Sequence, residues 1–330
     1  MKAFVTGATG CLGRNLCQRL SAEGSLVTGV GRNRQVGAAM ERMGVRFHPI
    51  DIEQADRMAE AMQGHETVFH CAALSSQWGA AHLFETANVL GTANVLAAAR
   101  RANVRRVIFV SSSSVYFDFT PRRNIQEGDP LPAVPVNAYA ASKRRGEDLV
   151  MKAAANGLDT VILRPRGIFG PWDSALAPRL ARVARRGIVP LPEGGKAMVD
   201  VTCVANVVDA LLCAATAKGV SGRIYNISNG SPVSVRHLLK SALEAMGVRA
   251  CLYPVPRKAA LSAARLAEGI SRLTGGWEPS VTAYSLGLLG CDQTLDITAA
   301  KRDLAWTPRQ SLEDGLAAFG QWWNEQYGQN

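Results

Sequence analysis

The sequence predicts an α/β fold, in which a doubly wound parallel sheet is followed by a smaller C-terminal α/β domain. Short runs rich in β-branched residues alternate with longer stretches rich in Ala, Leu and Arg through the first half of the chain. This alternation is typical of parallel strands joined by helices in right-handed crossovers. A glycine-rich segment separates the first run from the first helical stretch. The length of 330 residues allows about two domains.

The strands and the domain boundary follow from this alternation. Six buried strands are predicted, over residues 2–6, 25–30, 45–49, 67–70, 107–111 and 160–163. After Leu163, prolines interrupt the chain and the regular alternation ends. We therefore expect a first domain over residues 1–165 and a second domain over residues 166–330. The stretch 199–217 reads as a strand and a buried helix, and we expect it to return to the first domain.

One amphipathic helix is predicted in the second domain, over residues 258–274. Its apolar stripe consists of Ala259, Ala263, Leu266, Ala267, Ile270 and Leu273. We interpret this segment as a helix packed on the small domain. Two alternatives stay open, namely a lid over an apolar substrate and a weak contact with a membrane surface.

Composition and charge exclude several classes of protein. Hydrophobic residues make up 47% of the chain and charged residues 19%, which excludes an extended disordered chain. The 37 Lys and Arg against 27 Asp and Glu give a net charge of +10, but the basic residues are scattered along the chain. No nucleic-acid partner is therefore expected, and the charge fits a basic surface or a preference for an anionic small ligand.

Cysteines and apolar stretches point to a cytoplasmic protein without a metal site. The 7 Cys include no C-x-x-C pair, so we expect reduced thiols and no structural zinc. The first predicted strand begins at residue 2, which leaves no room for a signal peptide. The longest apolar stretch, residues 207–217, is too short to span a bilayer, and no stable membrane insertion is expected.

A dinucleotide site of the Rossmann type is predicted by the segment TGATGCLG, residues 6–13, after the first strand. Gly7 makes the tight turn, Gly10 lets the backbone approach the pyrophosphate, and Gly13 lets the helix pack on the strand. The phosphates would lie at the helix N-terminus, where free N–H groups and the helix dipole favour anions. The cofactor contacts expected here are Gly7, Thr9, Gly10, Cys11, Leu12 and Gly13.

The residues after the second strand favour NADP(H) over NAD(H). No Asp or Glu occurs between Glu23 and Glu41, so the carboxylate that binds the ribose 2′-hydroxyl of NAD is missing. Arg32, together with Arg34 or Arg14, can bind the 2′-phosphate of NADP instead. The alternative is that these arginines belong only to the solvated surface.

Two further strand ends are expected to hold the adenosine half of the cofactor. Asp51 and Ile52 follow the third strand, where a carboxylate can accept a hydrogen bond from the adenine amino group. The small residues after the fourth strand let the backbone lie against the ribose, and these residues are Cys71, Ala72 and Ala73. His70 is interpreted as a packed residue at the strand end rather than a catalytic base.

A catalytic group is predicted from Tyr139 and Lys143, which lie one turn apart on one face of a helix. Four serines at 111–114 end the fifth strand, at the carboxyl edge of the sheet where such folds bind ligands. Transfer of hydride to a carbonyl leaves an alkoxide that must receive a proton. A phenol has a pKa of about 10, and we expect Lys143 and an oxidised nicotinamide to lower it. Tyr139 is then the general acid/base, and one serine holds the carbonyl oxygen.

The chain resembles the extended short-chain dehydrogenase/reductase family. The motifs TGATGCLG, HCAA, NVLGTANV, SSSSVY, YAASK and LRPRGIFGP match that family in order and spacing. The resemblance implies that Ser112 is the catalytic serine, with Ser113 as second choice, and that Asn88 orders the active site. It also implies cofactor contacts by Ser111, Tyr139, Lys143, Pro165, Gly167 and Ile168. The helices expected over 80–102 and 139–155 imply a homodimer.

Within this family, the chain looks most like the 3β-hydroxysteroid dehydrogenase branch, which includes bacterial reductases of 2-alkyl-3-oxoalkanoates. The stretches SSSSVYFD at 111–118 and YSLGLLGCDQTLDITAAKRDL at 284–304 carry this resemblance. Nucleotide-sugar relatives usually place an Arg and an acidic pair in the region that corresponds to 196–206, and the sequence has neither there. Substrate contacts in a pocket rich in aromatic side chains are expected from Ser75, Trp78, Ser113, Phe117, Arg166, Phe169 and Trp172.

These observations predict an NADP(H)-preferring oxidoreductase that interconverts a ketone and a secondary alcohol. The expected substrate is a hydrophobic small molecule, either steroid-like or a β-keto acid. The first alternative is a nucleotide-sugar epimerase or reductase. The second is a cofactor-binding sensor without chemistry, which the presence of both Tyr139 and Lys143 disfavours.

Overall fold

The structure, a computed structural model, describes residues 1–327, and its centre is a seven-stranded parallel sheet. The strands of the chain are β1 (Lys2–Thr6), β2 (Leu26–Val30), β3 (Arg46–His48), β4 (Thr67–His70), β5 (Arg106–Val110), β6 (Arg122–Ile125), β7 (Asp159–Pro165), β8 (Ile168–Phe169), β9 (Ile188–Pro192), β10 (Met198–Val199), β11 (Thr202–Cys203), β12 (Arg223–Ile227), β13 (Val233–Ser234), β14 (Cys251–Val255) and β15 (Gln293–Leu295). The central sheet has the order β12-β7-β5-β4-β1-β2-β3, with all neighbours parallel. The predicted doubly wound parallel sheet is confirmed.

Helices cover both faces of this sheet. The α-helices are α1 (Cys11–Ala22), α2 (Arg34–Glu41), α3 (Ala55–Ala61), α4 (Ala81–Phe84), α5 (Gly91–Arg101), α6 (Ala138–Ala155), α7 (Ala177–Ala184), α8 (Val204–Thr216), α9 (Val235–Ala245), α10 (Arg257–Leu273), α11 (Ala283–Gly290), α12 (Thr298–Leu304) and α13 (Leu312–Tyr327). A π-helical segment (Glu85–Leu90) joins α4 to α5, and 3₁₀ turns occur at Ser113–Tyr116 and Glu193–Gly195.

The side chains of β1 point alternately into two separate hydrophobic cores. Ala3 and Val5 belong to one core, which also contains residues of α1, α8 and α12. Phe4 belongs to the other, with residues of α3, α5 and α6. Successive side chains of a strand point to opposite faces, so these two cores lie on the two faces of the sheet.

Six of the seven central strands lie where they are predicted, and β12 is the one that the predicted strands do not include. This strand pairs with β7 and lies beyond the stretch 199–217 that we expected to return to the first domain. Its buried Asn226 obscures the strand pattern. Asn226 Oδ1 accepts a 2.9 Å hydrogen bond from the Tyr116 hydroxyl, and its amide donates to the Ile125 carbonyl at 2.9 Å. These partners are more than 100 positions away in sequence, so a pattern of neighbouring residues does not reveal them.

The remaining strands form smaller sheets. They are ordered β13-β10-β15-β6 in one sheet, and they pair as β11 with β8 and β14 with β9 in two others. β6 comes from the first 165 residues, yet it pairs with β15 from near the end of the chain. One sheet therefore contains strands from both sides of the predicted domain boundary at residue 165. The division into two domains stays a prediction.

The helix α10 turns its predicted apolar stripe outward. Leu266, Ile270 and Leu273 are 67%, 48% and 88% exposed. The opposite face, around Ala264 and Leu261, packs in a cluster with residues of α11. Small side chains such as Ala264 allow α10 and α11 to approach closely. This contact, rather than the stripe of larger apolar side chains, decides which face of α10 is buried. Within residues 1–327, every helix is too short or too polar to cross a bilayer.

Candidate active site

The glycine-rich turn between β1 and α1 brings three chain segments together. Gly7 has φ +67°, and a Cβ atom there would lie 2.7 Å from Ala72 Cα. A Cβ at Gly13 would lie 2.2 Å from the Gly7 carbonyl oxygen, so α1 can pack on the turn only with glycine at this position. A Cβ at Gly10 would stay 3.4 Å from its nearest protein atom. Packing therefore does not require glycine at 10, whereas close approach of a ligand would.

The N-terminus of α1 offers hydrogen-bond donors to an anion. Gly10 is the N-cap residue, no side chain caps the helix, and its first turn has no acidic residue. The first N–H groups of a helix lack partners within the helix, and the helix dipole adds positive charge there. Thr9, Cys11 and Leu12 lie in this same turn. The turn thus fits the pyrophosphate of a dinucleotide.

Arg32 and Asp51, both predicted cofactor contacts, lie together beyond the ends of β2 and β3. Arg32 Nε is 3.9 Å from Asp51 Oδ2, and the Arg32 side chain is 83% exposed. The Arg14 guanidinium is engaged elsewhere, since it stacks 4.2 Å from the ring centre of Trp172. Arg32 and Arg34, both exposed, are therefore the arginines whose charges can turn toward a ligand at this edge.

His70, at the end of β4, is a buried and neutral residue. Its ring nitrogens lie 2.8 Å from Thr6 Oγ1 and 3.0 Å from Thr92 Oγ1. Burial, together with the charge of Lys143, lowers the pKa of His70 to about 3. Both ring nitrogens of His70 are thus occupied by hydrogen bonds to threonine hydroxyls. The partly exposed residues that follow it, beside the glycine-rich turn, are Cys71, Ala72 and Ala73.

Tyr139, Lys143 and Ser112 meet between β5 and α6. Lys143 Nζ donates a 2.8 Å hydrogen bond to the carbonyl oxygen of Val110, the last residue of β5. Ser112 Oγ accepts a 3.2 Å hydrogen bond from Ser114 N and so caps the 3₁₀ turn. Ser112 also acts on the Tyr139 side chain, because it lowers the pKa of that phenol. This arrangement can hold a carbonyl oxygen and pass a proton to it.

Burial controls the proton affinity of Lys143 and Tyr139. It lowers the pKa of Lys143 from 10.5 to about 8. Burial raises the pKa of Tyr139, and the Ser112 side chain opposes this rise. Lys143 and an oxidised nicotinamide together are expected to lower the pKa of Tyr139, and this expectation stays a prediction. In the structure the Lys143 ammonium group donates to the Val110 carbonyl.

The loop after β4 is held in place by Asn88. Asn88 Oδ1 accepts a 2.7 Å hydrogen bond from Leu74 N, and its amide donates to the Leu74 carbonyl at 3.1 Å. Ser75 in this loop is exposed. Trp78, farther along, donates its indole N–H to the Gly276 carbonyl at 3.1 Å. The loop therefore joins the central sheet to the segment after α10.

The turn after β7 lies at the same edge of the sheet. Pro165 ends β7, Gly167 has φ +51°, and Ile168 begins β8 opposite Thr202. Ser111 N donates a 2.7 Å hydrogen bond to the Leu163 carbonyl, which ties the end of β5 to β7. The predicted cofactor contacts of these two strands are thus neighbours.

Two cavities adjoin this site. The first has a volume of about 760 Å³, and we call it the catalytic cavity because Asn137 and Ala138, the two residues before Tyr139, line it. Trp78, Phe119 and Tyr284 also belong to its lining. The second, the apolar cavity, has a volume of about 260 Å³. It starts at Gly167 and Phe169, and its apolar lining includes Leu176, Leu180, Val189, Leu238, Leu286 and Phe319. Gln77 lines both cavities.

The predicted substrate residues do not all face these cavities. Trp78 lines the catalytic cavity and Phe169 the apolar one. Phe117 and Ser113 are buried in the protein interior, where Phe117 packs against Phe119 and Tyr284. Trp172 is covered by Arg14.

Gln77 and Tyr284 are not among the predicted site residues. Tyr284 begins the stretch YSLGLLG, whose pattern indicates only the family resemblance.

Comparison with known proteins identifies the family of this chain. The pattern of the NAD dependent epimerase/dehydratase family matches residues 3–228. The chain belongs to this family. The resemblance to the extended short-chain dehydrogenase/reductases and the prediction of an NAD(P)-dependent oxidoreductase are confirmed at this level.

Similar members of the family cover nearly the whole chain. One is the 4-hydroxy-2-methyl-3-oxo-4-farnesyl-3,4-dihydroquinoline-1-oxide ketoreductase of Stigmatella aurantiaca, 36% identical over 97% of this chain and 96% of the relative. Another is the 2-alkyl-3-oxoalkanoate reductase of Shewanella oneidensis, 35% identical over 95% of this chain and 84% of the relative. Among solved structures, MoeE5 in complex with UDP-glucose and NAD is 26% identical, with a TM-score of 0.77 over 99% of both chains.

Proposed function

We propose that this member of the family is an NADP(H)-preferring reductase or dehydrogenase of a hydrophobic 3-oxo or 3-hydroxy compound. The observation that carries the proposal is the apolar cavity beside Gly167 and Phe169. Of the charged residues that line it, Arg179 is ion-paired with Glu278 at 2.8 Å and Arg182 is exposed. Asp173 is buried, and its carboxylate accepts hydrogen bonds from the backbone N–H groups of Ala175, Leu176 and Ala177. Such a lining favours a hydrocarbon chain over a nucleoside diphosphate, whose charges need paired partners.

The names of two relatives support this substrate class. The Stigmatella enzyme is a ketoreductase of a farnesylated quinoline oxide, and the Shewanella enzyme reduces 2-alkyl-3-oxoalkanoates. Both names describe a ketone on a molecule that carries a prenyl or alkyl chain. A chain of that kind is what the apolar cavity would hold.

The side chains around Tyr139 supply the proton and stabilise the developing charge. During reduction, a bound reduced nicotinamide supplies the hydride to the carbonyl carbon. Tyr139 donates its phenolic proton to the carbonyl oxygen, and Ser112 donates a hydrogen bond to the same oxygen. Lys143, with a pKa of about 8, is mostly protonated at pH 7 and favours the phenolate that remains on Tyr139. Oxidation of the alcohol uses the same groups in reverse.

The preference for NADP(H) rests on Arg32. Its guanidinium lies beside the end of β2 and is exposed, and its ion pair with Asp51 is long, at 3.9 Å. A 2′-phosphate would offer Arg32 a doubly charged partner in place of this weak one. Residue 33 is Asn, whose side chain caps α2, so no carboxylate occupies that position.

A substrate panel tests the proposed function. The protein is incubated with NADPH and a 3-oxosteroid, the methyl ester of a medium-chain 3-oxo acid, or UDP-glucose. Cofactor oxidation is followed by absorbance and sugar epimerisation by chromatography. We expect cofactor oxidation with at least one hydrophobic ketone and no conversion of UDP-glucose. Conversion of UDP-glucose alone would contradict the proposal and support the alternative of a nucleotide-sugar epimerase, since the similar MoeE5 structure contains UDP-glucose and NAD.

A homodimer is the assembly that we propose for this enzyme. Large apolar side chains are exposed on the helices that we expect to form the interface, namely Leu83 of α4, Leu90 of the π-helical segment and Met151 of α6. Burial of such side chains against a second copy would stabilise a dimer. Light scattering of the protein as it elutes from a size-exclusion column would measure its molecular mass. A mass of one chain, 35.2 kDa, would contradict the dimer.

A further inference from the structure

The helix α10 and the segment after it leave large apolar side chains exposed to solvent. Leu266, Ile270 and Leu273 of the apolar stripe are 67%, 48% and 88% exposed, and Trp277 is 49% exposed. The three stripe positions are three or four residues apart, so they share one face of the helix. The opposite face of α10 is already covered by α11. An exposed patch of large apolar side chains is typical of a surface that contacts a partner or a membrane.

A row of basic side chains runs alongside the apolar stripe. Lys258, Arg265 and Arg272 follow one another at intervals of about two helical turns, so they lie along one side of α10. Arg265 directly precedes Leu266, and Arg272 directly precedes Leu273, so row and stripe are about 100° apart around the helix. All three basic residues are exposed, and no ion pair within residues 1–327 includes them. We call these three residues the basic row.

The acidic residues nearby do not neutralise the basic row. Glu268 is the one acidic residue of α10, and its Oε1 accepts a 2.7 Å hydrogen bond from Ala283 N of α11. Beyond the helix, Glu278 is paired with Arg179 of α7 at 2.8 Å. The outer surface of α10 therefore combines an apolar stripe with positive charge. This combination is the pattern of a helix that lies in a lipid interface.

The same helix forms a wall of the catalytic cavity. Arg265, Glu268 and Arg272 all belong to the lining of that cavity. The guanidinium carbon of Arg272 lies 5.5 Å from the ring centre of Trp78, which is also part of the lining. Whatever binds the outer surface of α10 therefore lies next to the cavity that we assign to catalysis.

We propose that α10 binds reversibly to the surface of a bilayer that contains anionic phospholipids. The apolar stripe and Trp277 lie among the lipid chains near the interface, where tryptophan is favoured, and the basic row contacts the lipid phosphates. A second copy of the chain is a poorer occupant. A symmetric contact through this face would bring two basic rows of like charge together, with no exposed acid of α10 to pair them.

This bilayer contact goes beyond the reaction that we propose. It places the catalytic cavity beside the phase in which a hydrophobic ketone concentrates. That consequence alone rests on the proposed function, because the binding of lipid by α10 requires no substrate. Binding and turnover are therefore measured separately.

Vesicle flotation of the wild-type protein tests the proposal without a variant. The full chain is mixed with vesicles of phosphatidylcholine alone, or of phosphatidylcholine with about 30% phosphatidylglycerol, in about 0.1 M and 0.5 M NaCl. We expect binding to the anionic vesicles to be at least about fivefold stronger than to the neutral ones, and to fall at the higher salt concentration. Absence of binding to the anionic vesicles, or equal binding to both kinds, would overturn the proposal.

Variants then locate the contact, because the whole chain has a net charge of +10. Leu266→Ser is compared with Leu26→Ser, since Leu26 at the start of β2 is also 67% exposed. Lys258→Glu is compared with Lys218→Glu, at an exposed lysine after α8. We expect each α10 variant to bind the anionic vesicles about tenfold more weakly than the wild type, because each loses apolar burial or charge at the interface. Both controls should bind like the wild type.

Three outcomes separate this proposal from its alternatives. A Leu266→Ser variant that binds vesicles like the wild type, or that halves the molecular mass measured by light scattering, would overturn the proposal, and the halved mass would assign the stripe to a second copy. Reduction of a soluble ketone without vesicle binding would refute the bilayer contact and retain the proposed function. Vesicle binding that depends on Leu266, without turnover of any ketone, would contradict the proposed function and retain the bilayer contact.

Discussion

Asn88 in the π-helical segment donates a 2.8 Å hydrogen bond to the hydroxyl of Ser142, the residue before Lys143 in α6. The same amide side chain holds Leu74 through two further hydrogen bonds. One buried side chain thus connects the loop after β4 to the helix that carries Tyr139 and Lys143. This connection positions the catalytic helix without requiring Asn88 to touch the substrate.

Replacement of Asn88 should disturb this positioning. We expect Asn88→Ala to lower kcat/KM about tenfold or more, because small displacements of catalytic groups are costly. Kinetics with a hydrophobic ketone, with the thermal midpoint as a check on folding, would measure the effect. Asn324→Ala, on the exposed side of α13, is the control and should have no effect. An Asn88→Ala variant within twofold of the wild type would contradict the positioning role.

Removal of the Tyr139 hydroxyl should abolish proton transfer. We expect Tyr139→Phe to lower turnover by about 10²- to 10⁴-fold, the usual contribution of a general acid. The affinity for NADPH, measured by fluorescence titration, should stay close to that of the wild type. Tyr253→Phe is the matched control, because Tyr253 is exposed. Unchanged turnover in Tyr139→Phe would remove the catalytic assignment.

Arg32 is expected to decide between the two cofactors. Arg32→Ala should weaken NADPH binding about tenfold and change NADH binding little, because only NADPH carries the 2′-phosphate that the guanidinium would pair with. Dissociation constants for both cofactors measure this difference. Arg42→Ala, at an exposed arginine beyond α2, serves as the control. Wild-type protein that binds NADH more tightly than NADPH would disprove the preference.

Two glycine-to-alanine replacements in helices should have opposite effects on stability. A methyl group at Gly13 meets the Gly7 carbonyl oxygen at 2.2 Å, whereas one at Gly269 in α10 meets no atom within 4 Å. We expect Gly13→Ala to lower the free energy of unfolding by about 2 kcal/mol or more. Gly269→Ala should raise it by about 0.5–1 kcal/mol, because alanine loses less backbone entropy. Urea unfolding curves measure both, and equal effects would contradict the packing of α1 on the turn.

His70 should make the stability depend on pH below neutrality. Its pKa is about 3 in the folded protein, against 6.5 for an ordinary histidine, so the unfolded chain binds more protons between these values. The stabilisation is complete above pH 6.5 and is lost as the pH falls, by about 1.4 kcal/mol per unit well below 6.5. His70→Gln should show a shallower loss of unfolding free energy from pH 7 to pH 5, and exposed His82→Gln should match the wild type. Identical slopes in all three proteins would exclude His70 as the cause.

Local patterns were sufficient for six of the seven strands of the central sheet and for the glycine-rich turn, but not for the whole site. The spacing of Tyr139 and Lys143 on a helix follows from sequence alone, as does the position of Arg32 after β2. The strand β12 escaped prediction because Asn226 finds its partners far away in the chain. Tyr284 escaped because nothing near it in sequence indicates that α11 borders the catalytic cavity.

The sequence by itself determined the βαβ alternation, the family motifs and the identity of the catalytic candidates, because strand period, helix period and glycine spacing are properties of neighbouring residues. Only the tertiary structure decided which face of α10 is buried, that burial raises the pKa of Tyr139, and that Arg166 alone among the buried arginines of residues 1–327 has no ion-pair partner. These properties depend on residues distant in the chain, since burial and pairing arise when separate segments pack together.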